Sequence, residues 1–267
     1  MKISIIGGGN IGLSFARGLV YSGKYKSSQI TITRRSEEAL NRIKDEGFIV
    51  TTDNVVAISN SSIIVLSVLP QHLNRVLKEI APAIDSDKHL IISIVTGVTI
   101  QALESSLGSR VAIVRAMPNT AISIQQSMTC ILGNHNAKPQ ISKVKEMFDL
   151  VGQTIEIKEE LMSSATALCA CGTAFFLRAI RAASQGGVEI GFHSDEALRM
   201  AAQTAKGAAA LLLELNSHPE QEIDKVTSPK GCTIAGLNEM EHHGFSSSLI
   251  LGIKTSAVKA DNLYKIE

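Results

Sequence analysis

Apolar residues fall into two patterns along this chain, and the change between them comes near residue 157. Before it, short β-branched runs at residues 2–6, 29–33, 63–68, 89–95, 111–117, 127–133 and 154–157 predict strands. Between them, apolar side chains recur at helical spacing over residues 11–22, 37–46, 71–81, 100–107 and 138–151. Residues 63–68 are apolar almost throughout, as a strand covered on both faces requires. Strands alternating with helices predict a mostly parallel, doubly wound α/β domain.

After residue 157 the β-branched alternation stops. Residues 159–186, 194–216 and 236–244 read as helices, with Ser194 before Asp195 and Glu196 as a capping signal. The expected organisation is a mostly parallel α/β domain over 1–157 and an all-helical domain over 158–267. The helix at 195–215 is apolar nearly all round, including Ala208–Ala210 and Leu211–Leu213. A helix of that kind must be covered, and a domain of this size has little core of its own to cover it. A second copy of the chain is the expected cover, as an obligate dimer or higher homo-oligomer; burial within its own domain is the alternative.

The bulk properties narrow the classes. The chain has 267 residues, 45% hydrophobic and 19% charged, enough apolar content for a sizeable core. A net charge of +1 gives no global electrostatic case for nucleic acid or a membrane surface. With no uninterrupted run of 18 or more apolar residues and a strand predicted at once, the expected location is the cytoplasm. Four cysteines, Cys130, Cys169, Cys171 and Cys232, do not make a disulfide framework at this length. No His/Cys/carboxylate cluster has metal-ligand spacing, so no metal site is expected.

The first predicted strand runs into Gly7-x-Gly9-x-x-Gly12, and a helix follows directly. In that context each glycine has a distinct role, with Gly7 for a tight turn, Gly9 for close approach to a pyrophosphate and Gly12 for helix–strand packing. The backbone N–H groups of the helix start, around Asn10 and Ile11, then face an anion. The dinucleotide is named by the end of the second strand. An acidic residue there would bind a ribose 2′-hydroxyl; this chain instead carries Arg34, Arg35 and Ser36. Two guanidinium groups and a hydroxyl suit a 2′-phosphate, which predicts NADPH, with NADH possible.

A second constellation stands at Thr227-Ser228-Pro229-Lys230-Gly231-Cys232-Thr233. Pro229 and Gly231 break structure and Cys232 or Thr233 opens a helix, so backbone N–H groups flanked by hydroxyls form either a carboxylate site or a simple capped turn. With it come Thr52-Asp53-Asn54, Leu69-Pro70-Gln71, Ala116-Met117-Pro118-Asn119-Thr120, Thr166–Gly172 and Ala202-Gln203-Thr204. In this order and spacing, essentially the whole chain resembles the Δ1-pyrroline-5-carboxylate reductases.

The resemblance implies NAD(P)H-dependent reduction of a cyclic imine to proline, in a protein with a Rossmann domain and a helical dimerisation domain. It implies a pyrophosphate cradle of Gly7, Gly9, Asn10, Ile11 and Gly12. Asn54, Val68, Leu69 and Pro70 would contact the adenosine ribose side, and Val95, Thr96 and Gly97 the nicotinamide edge. Ser228, Gly231, Cys232 (through its backbone) and Thr233 would hold the substrate carboxylate, with Glu159 and Thr166 nearby. Thr233 and Ser228 are the candidate catalytic residues, Thr233 by hydrogen bonding to the ring nitrogen or carboxylate; a helix N-cap is its other reading. The chain departs from the family at Leu69, where a lysine is usual, at Ala121, across Cys169–Thr173, and at Lys230, where the signature has glycine. The departures leave room for a reductase of another cyclic imine or keto acid, or a non-catalytic NADPH-binding dimer.

Overall fold

In the computed structural model, which describes residues 1–261, the strands assemble into one eight-stranded sheet. They are β1 (Ile3–Ile6), β2 (Ile30–Thr33), β3 (Ile49–Thr51), β4 (Ile63–Leu66), β5 (Leu90–Ser93), β6 (Ala112–Met117), β7 (Ser127–Gly133) and β8 (Gly152–Glu156). Their order is β3-β2-β1-β4-β5-β6-β7-β8, and every pairing is parallel except β6 with β7. β1, β2, β4 and β5 are buried along their whole length because helices cover both faces. The helices are α1 (Asn10–Tyr21), α2 (Glu37–Lys44), α3 (Asn54–Ser59), α4 (Pro70–Ile80), α5 (Ile100–Leu107) and α6 (Ile141–Asp149). On one face Phe15 of α1 stacks on Phe148 of α6, ring centroids 4.6 Å apart. On the other, Leu73, Val76, Leu77 and Ile80 of α4 pack with Ile64 and Leu66 of β4 and Leu103 of α5.

Beyond the sheet, a single turn at Glu159–Leu161 leads into α7 (Met162–Ala165), a π-helical turn at Thr166–Cys171, and α8 (Gly172–Glu189). Then come α9 (Ser194–Leu215), α10 (Pro219–Lys225), α11 (Cys232–His242) and α12 (Phe245–Ala260). By contacts, residues 1–171 and 255–261 form one compact unit, and residues 172–254 a second. Within the second unit α8 and α9 cross closely: a Cβ added at Gly187 would sit 3.0 Å from that of Ala197.

The sequence reading missed β3, α3, α10 and α12. The first three are three, six and seven residues long, too short for a period to declare itself. α12 begins with Ser246, Ser247 and Ser248, which read as loop. Two caps also move. α9 starts at Ser194 with His193 as its N-cap, whose N–H donates to Glu196 Oε2 at 3.2 Å. The N-cap of α11 is Gly231, which puts Thr233 in the first turn rather than at the cap.

Candidate functional site

The cleft at the carboxyl ends of β1, β2 and β4 lies where the strand order reverses, the standard place for a ligand in such a sheet. Its volume is about 460 Å³, and its walls include Gly7, Gly9, Arg34, Arg35, Ser36, Asn54, Val68 and Leu69. The glycines divide their labour as the spacing implies. Gly7 has φ +101°, and a Cβ on it would lie 2.6 Å from Ser67 O. A Cβ on Gly12 would lie 2.7 Å from Gly7 O and 3.0 Å from Ile5 Cγ2, so the helix can sit on the strand only without a side chain there. A Cβ on Gly9 would meet nothing within 4 Å: its bare edge faces open space. Gly9 is also the N-cap of α1, so the N–H groups of Asn10, Ile11 and Gly12 form a helix start with no intrahelical acceptor.

A chain of hydrogen bonds fixes this loop to its neighbours. Gly8 N–H donates to Thr33 O at 2.8 Å and Gly7 N–H to Thr33 Oγ1 at 3.3 Å. The Thr33 hydroxyl donates to Asn54 Oδ1 at 2.7 Å, and Asn54 Nδ2 to Glu79 Oε2 at 3.1 Å. Asn54 thus serves the frame of the cleft as well as its wall. Ser36 caps α2, its Oγ accepting from Ala39 N–H at 3.3 Å, which leaves Arg34 and Arg35 exposed at the rim.

Two basic cleft residues escaped the sequence reading: His72 and Arg75, one turn apart on α4. Arg35 Nη2 lies 3.3 Å from His72 Nε2, bridging the ends of β2 and α4. The wall therefore carries Arg34, Arg35, His72 and Arg75, and among the described residues no carboxylate lines it. Arg75 lines the same wall as Leu69. Only the i, i+3 spacing after Pro70 hinted at this, and the side chains facing them are decided by the sheet order.

The other expected residues of this unit lie outside the cleft lining. Pro70 opens α4 at its first position. Val95 is buried in the core, with its N–H 3.4 Å from Ser93 Oγ, and Gly97 turns the chain at φ +82°. Thr166 is buried in the π-helical turn, its hydroxyl donating to Met162 O at 2.9 Å. Glu159 Oε1 accepts from Arg115 Nη1 at 2.8 Å and from Ile100 N–H at 2.7 Å, so it pairs a buried guanidinium and caps α5. Burial pushes Arg115 below its ordinary pKa, and Glu159 opposes that fall.

In the second unit, Gly231 N–H donates to Ser228 O at 2.9 Å, closing the turn before α11. A Cβ on Gly231 would lie 2.9 Å from the backbone oxygen of Ser228, which favours glycine there. Lys230, beside it, has φ +60°, the left-handed region that disfavours a Cβ. Cys232 and Thr233 open the helix on the side of these residues. The turn thus offers a helix-start N–H set with the Ser228 and Thr233 hydroxyls and one lysine beside it.

Comparison with known proteins bears on both units. Residues 159–263 match the pyrroline-5-carboxylate reductase dimerisation family, and residues 2–97 the coenzyme F420-dependent NADP oxidoreductase family. Over 97% of its length the chain is 50% identical to pyrroline-5-carboxylate reductase 2 of Dictyostelium discoideum, covering 92% of that protein. The chain belongs to the pyrroline-5-carboxylate reductase family. It is also 52% identical to pyrroline-5-carboxylate reductase 1 of the same organism, but spans 50% of that protein's length. Among solved structures, a pyrroline-5-carboxylate reductase from Coxiella burnetii superimposes with a TM-score of 0.92 at 30% identity, each chain covered to 99%. A Plasmodium falciparum pyrroline carboxylate reductase with NADP bound gives 0.90 at 26% identity, covering 99% of this chain and 98% of that one.

Membership of the family accounts for the most conspicuous surface of the second unit. Of α9, only Ala197 is buried within the chain, while Leu198, Met200, Leu211, Leu213 and Leu215 are exposed. Phe176 and Leu177 of α8 are exposed too. By length and composition alone the run Glu159–Glu189 could cross a membrane. Its place in a dimerisation domain supplies another cover, a second copy of the chain. Burial of α9 inside its own domain, the alternative from sequence, is not what the fold does.

Proposed function

We propose that this protein reduces Δ1-pyrroline-5-carboxylate to L-proline with NADPH as the preferred reductant. The near full-length identity with a named reductase carries the reaction. The preference for NADPH rests on the cleft wall of Arg34, Arg35, His72 and Arg75 without a carboxylate. The residues present suit the dinucleotide: the open edge at Gly9 leaves room for a pyrophosphate, and the α1 start offers N–H donors. When bound, the cofactor supplies the hydride. The chain has to bind and orient. Ser36 with the arginines takes the 2′-phosphate, Asn54, Val68, Leu69 and Pro70 the adenosine ribose side, and Val95, Thr96 and Gly97 the nicotinamide edge.

For the substrate, Ser228, Gly231, Cys232 and Thr233 take the carboxylate through hydroxyls and helix-start N–H groups. An imine carbon accepts hydride well only when its nitrogen is protonated, and Thr233 is placed in this reading to hydrogen-bond the ring nitrogen or carboxylate. Thr166 stands near the substrate. Glu159 acts by holding Arg115 and the start of α5, a positioning role. The protein works in the cytoplasm as an obligate homodimer or larger homo-oligomer, with domains at 1–157 and 158–267. The deciding assay is NADPH oxidation followed by absorbance with pyrroline-5-carboxylate, run beside NADH. Turnover faster with NADPH supports the reading, and no turnover with either cofactor overturns it.

One observation favours a second reading, a reductase of another cyclic imine. Lys230 occupies a left-handed position in the loop given to the carboxylate, and its ammonium can meet a second acidic group on a larger substrate. Turnover of pyrroline-5-carboxylate by Lys230→Gly but not by the wild type would select this reading.

A further inference from the structure

We propose that Cys130 and Cys169 are an oxidisable pair that hydrogen peroxide closes to a reversible disulfide, tying the π-helical turn to β7. Their Sγ atoms lie 3.9 Å apart although the residues are 39 apart in sequence. A disulfide needs about 2.05 Å, so the sulfurs must approach by roughly a further 2 Å. Both backbones are held independently. Cys130 pairs with Met117 in the sheet, and Asn119 Nδ2 donates to Cys169 O at 3.1 Å. Asn119 is itself fixed, its N–H donating to Ser127 Oγ at 3.1 Å and its Oδ1 accepting from Ala121 N–H at 3.0 Å. The two thiols are thus kept in contact by strand pairing on one side and a side-chain clamp on the other.

Their surroundings assign the order of events. Cys130 is buried at 5% exposure, whereas Cys169 is half-buried in the single chain. The contact between the two thiols lowers the Cys169 thiol to about 7, while that same contact and burial push Cys130 up. The Cys169 thiolate therefore attacks first. Its sulfur bonds to one peroxide oxygen as the O–O bond breaks, leaving a sulfenic acid and a hydroxide that is protonated to water. The Cys130 sulfur then attacks the Cys169 sulfur. The S–S bond forms, the S–O bond breaks, and the departing hydroxide takes the Cys130 proton as a second water. Two electrons pass from the sulfurs to peroxide, and a dithiol returns them by exchange.

The test reads mass and does not depend on the reductase reading. Full-length protein is exposed to hydrogen peroxide, digested with trypsin, and mapped before and after dithiothreitol. The expected product links the peptide of residues 116–143 to that of residues 159–178, lighter by two hydrogens than the sum, and it disappears on reduction. The second peptide carries both Cys169 and Cys171, so fragmentation of the wild-type product must place the bond at Cys169, and Cys171→Ser must still form it. In Cys130→Ser, dimedone should trap a sulfenic acid on Cys169. Oxidation confined to exposed Cys232, or a bond that maps to Cys171, overturns the proposal. So does a wild-type digest in which Cys130 and Cys169 remain thiols.

Discussion

The nucleotide cleft and the α8–α9 surface are built on opposite terms. The walls of the cleft come from strand ends, the loops that follow them and the opening turns of helices in one compact unit, and its frame is closed by Thr33, Asn54 and Glu79 within that unit. The helical unit leaves Phe176, Leu177, Leu211 and Leu213 exposed in the single chain. The sheet unit is complete as folded; the helical unit carries an apolar debt that a second copy settles. The difference shows why a site made of backbone can be read in a monomer, whereas an interface can be read only as something missing.

Charging that apolar surface should give the largest effect. Leu211→Glu with Leu213→Glu places two carboxylates where a partner would bury leucines, costing roughly 4 kcal/mol of association, about a thousandfold in the dissociation constant. Sedimentation should show monomer at concentrations where the wild type is a dimer. Tyr21→Glu, on a still more exposed aromatic of α1, is the control and should leave the sedimentation profile unchanged. If the leucine variant stays dimeric, Leu211 and Leu213 of α9 are not in the interface.

Within the cleft, two glycines of one motif should part company. Gly7→Ala puts a Cβ 2.6 Å from Ser67 O at φ +101°, costing about 3 kcal/mol and lowering Tm by several degrees. Gly9→Ala meets nothing in the protein, so Tm should hold within the scatter of a surface change while KM for NADPH rises about tenfold or more. Calorimetry and NADPH titration separate them; equal thermal losses in both would mean that the space at Gly9 is structural.

The cation wall comes next. Arg34→Asp with Arg35→Ser removes two charge-assisted donors, so the NADPH/NADH ratio of kcat/KM should fall about thirtyfold, near 2 kcal/mol. Arg75→Ala should lower it by less, roughly fivefold, since one donor is lost. An unchanged ratio in both would leave the arginines as rim charges and nothing more.

What could be read in the sequence follows the same division. The β1 run, the three glycines and the arginines after β2 are local features, each legible from a few neighbouring residues. His72 and Arg75 join them only because β4 lies beside β1 and carries α4 to the same edge, a fact of strand order. The Arg115–Glu159 pair was equally hidden, since the partners stand 44 residues apart and Glu159 read as a substrate neighbour. In the helical unit α9 announced itself by composition and its need for cover followed from that. α12 stayed hidden because serines fill its first turn and its apolar positions follow no single face.

The smallest effect tests whether the loop before α11 is shaped for folding or for a ligand. Lys230 holds φ +60° where glycine would be at ease, so Lys230→Gly should relieve about 1 kcal/mol of backbone strain and raise Tm by roughly 2–4 °C. Against this, glycine widens the unfolded ensemble and returns part of that gain. The sign is informative either way. A rise in Tm together with a higher KM for the carboxylate substrate means that the strain is kept because the ammonium binds. A rise in Tm with KM unchanged means that the lysine does nothing for the ligand. A fall in Tm means that the lysine side chain supports the turn Ser228–Gly231 more than its backbone strains it, and the loop is then a structural cap before it is a site.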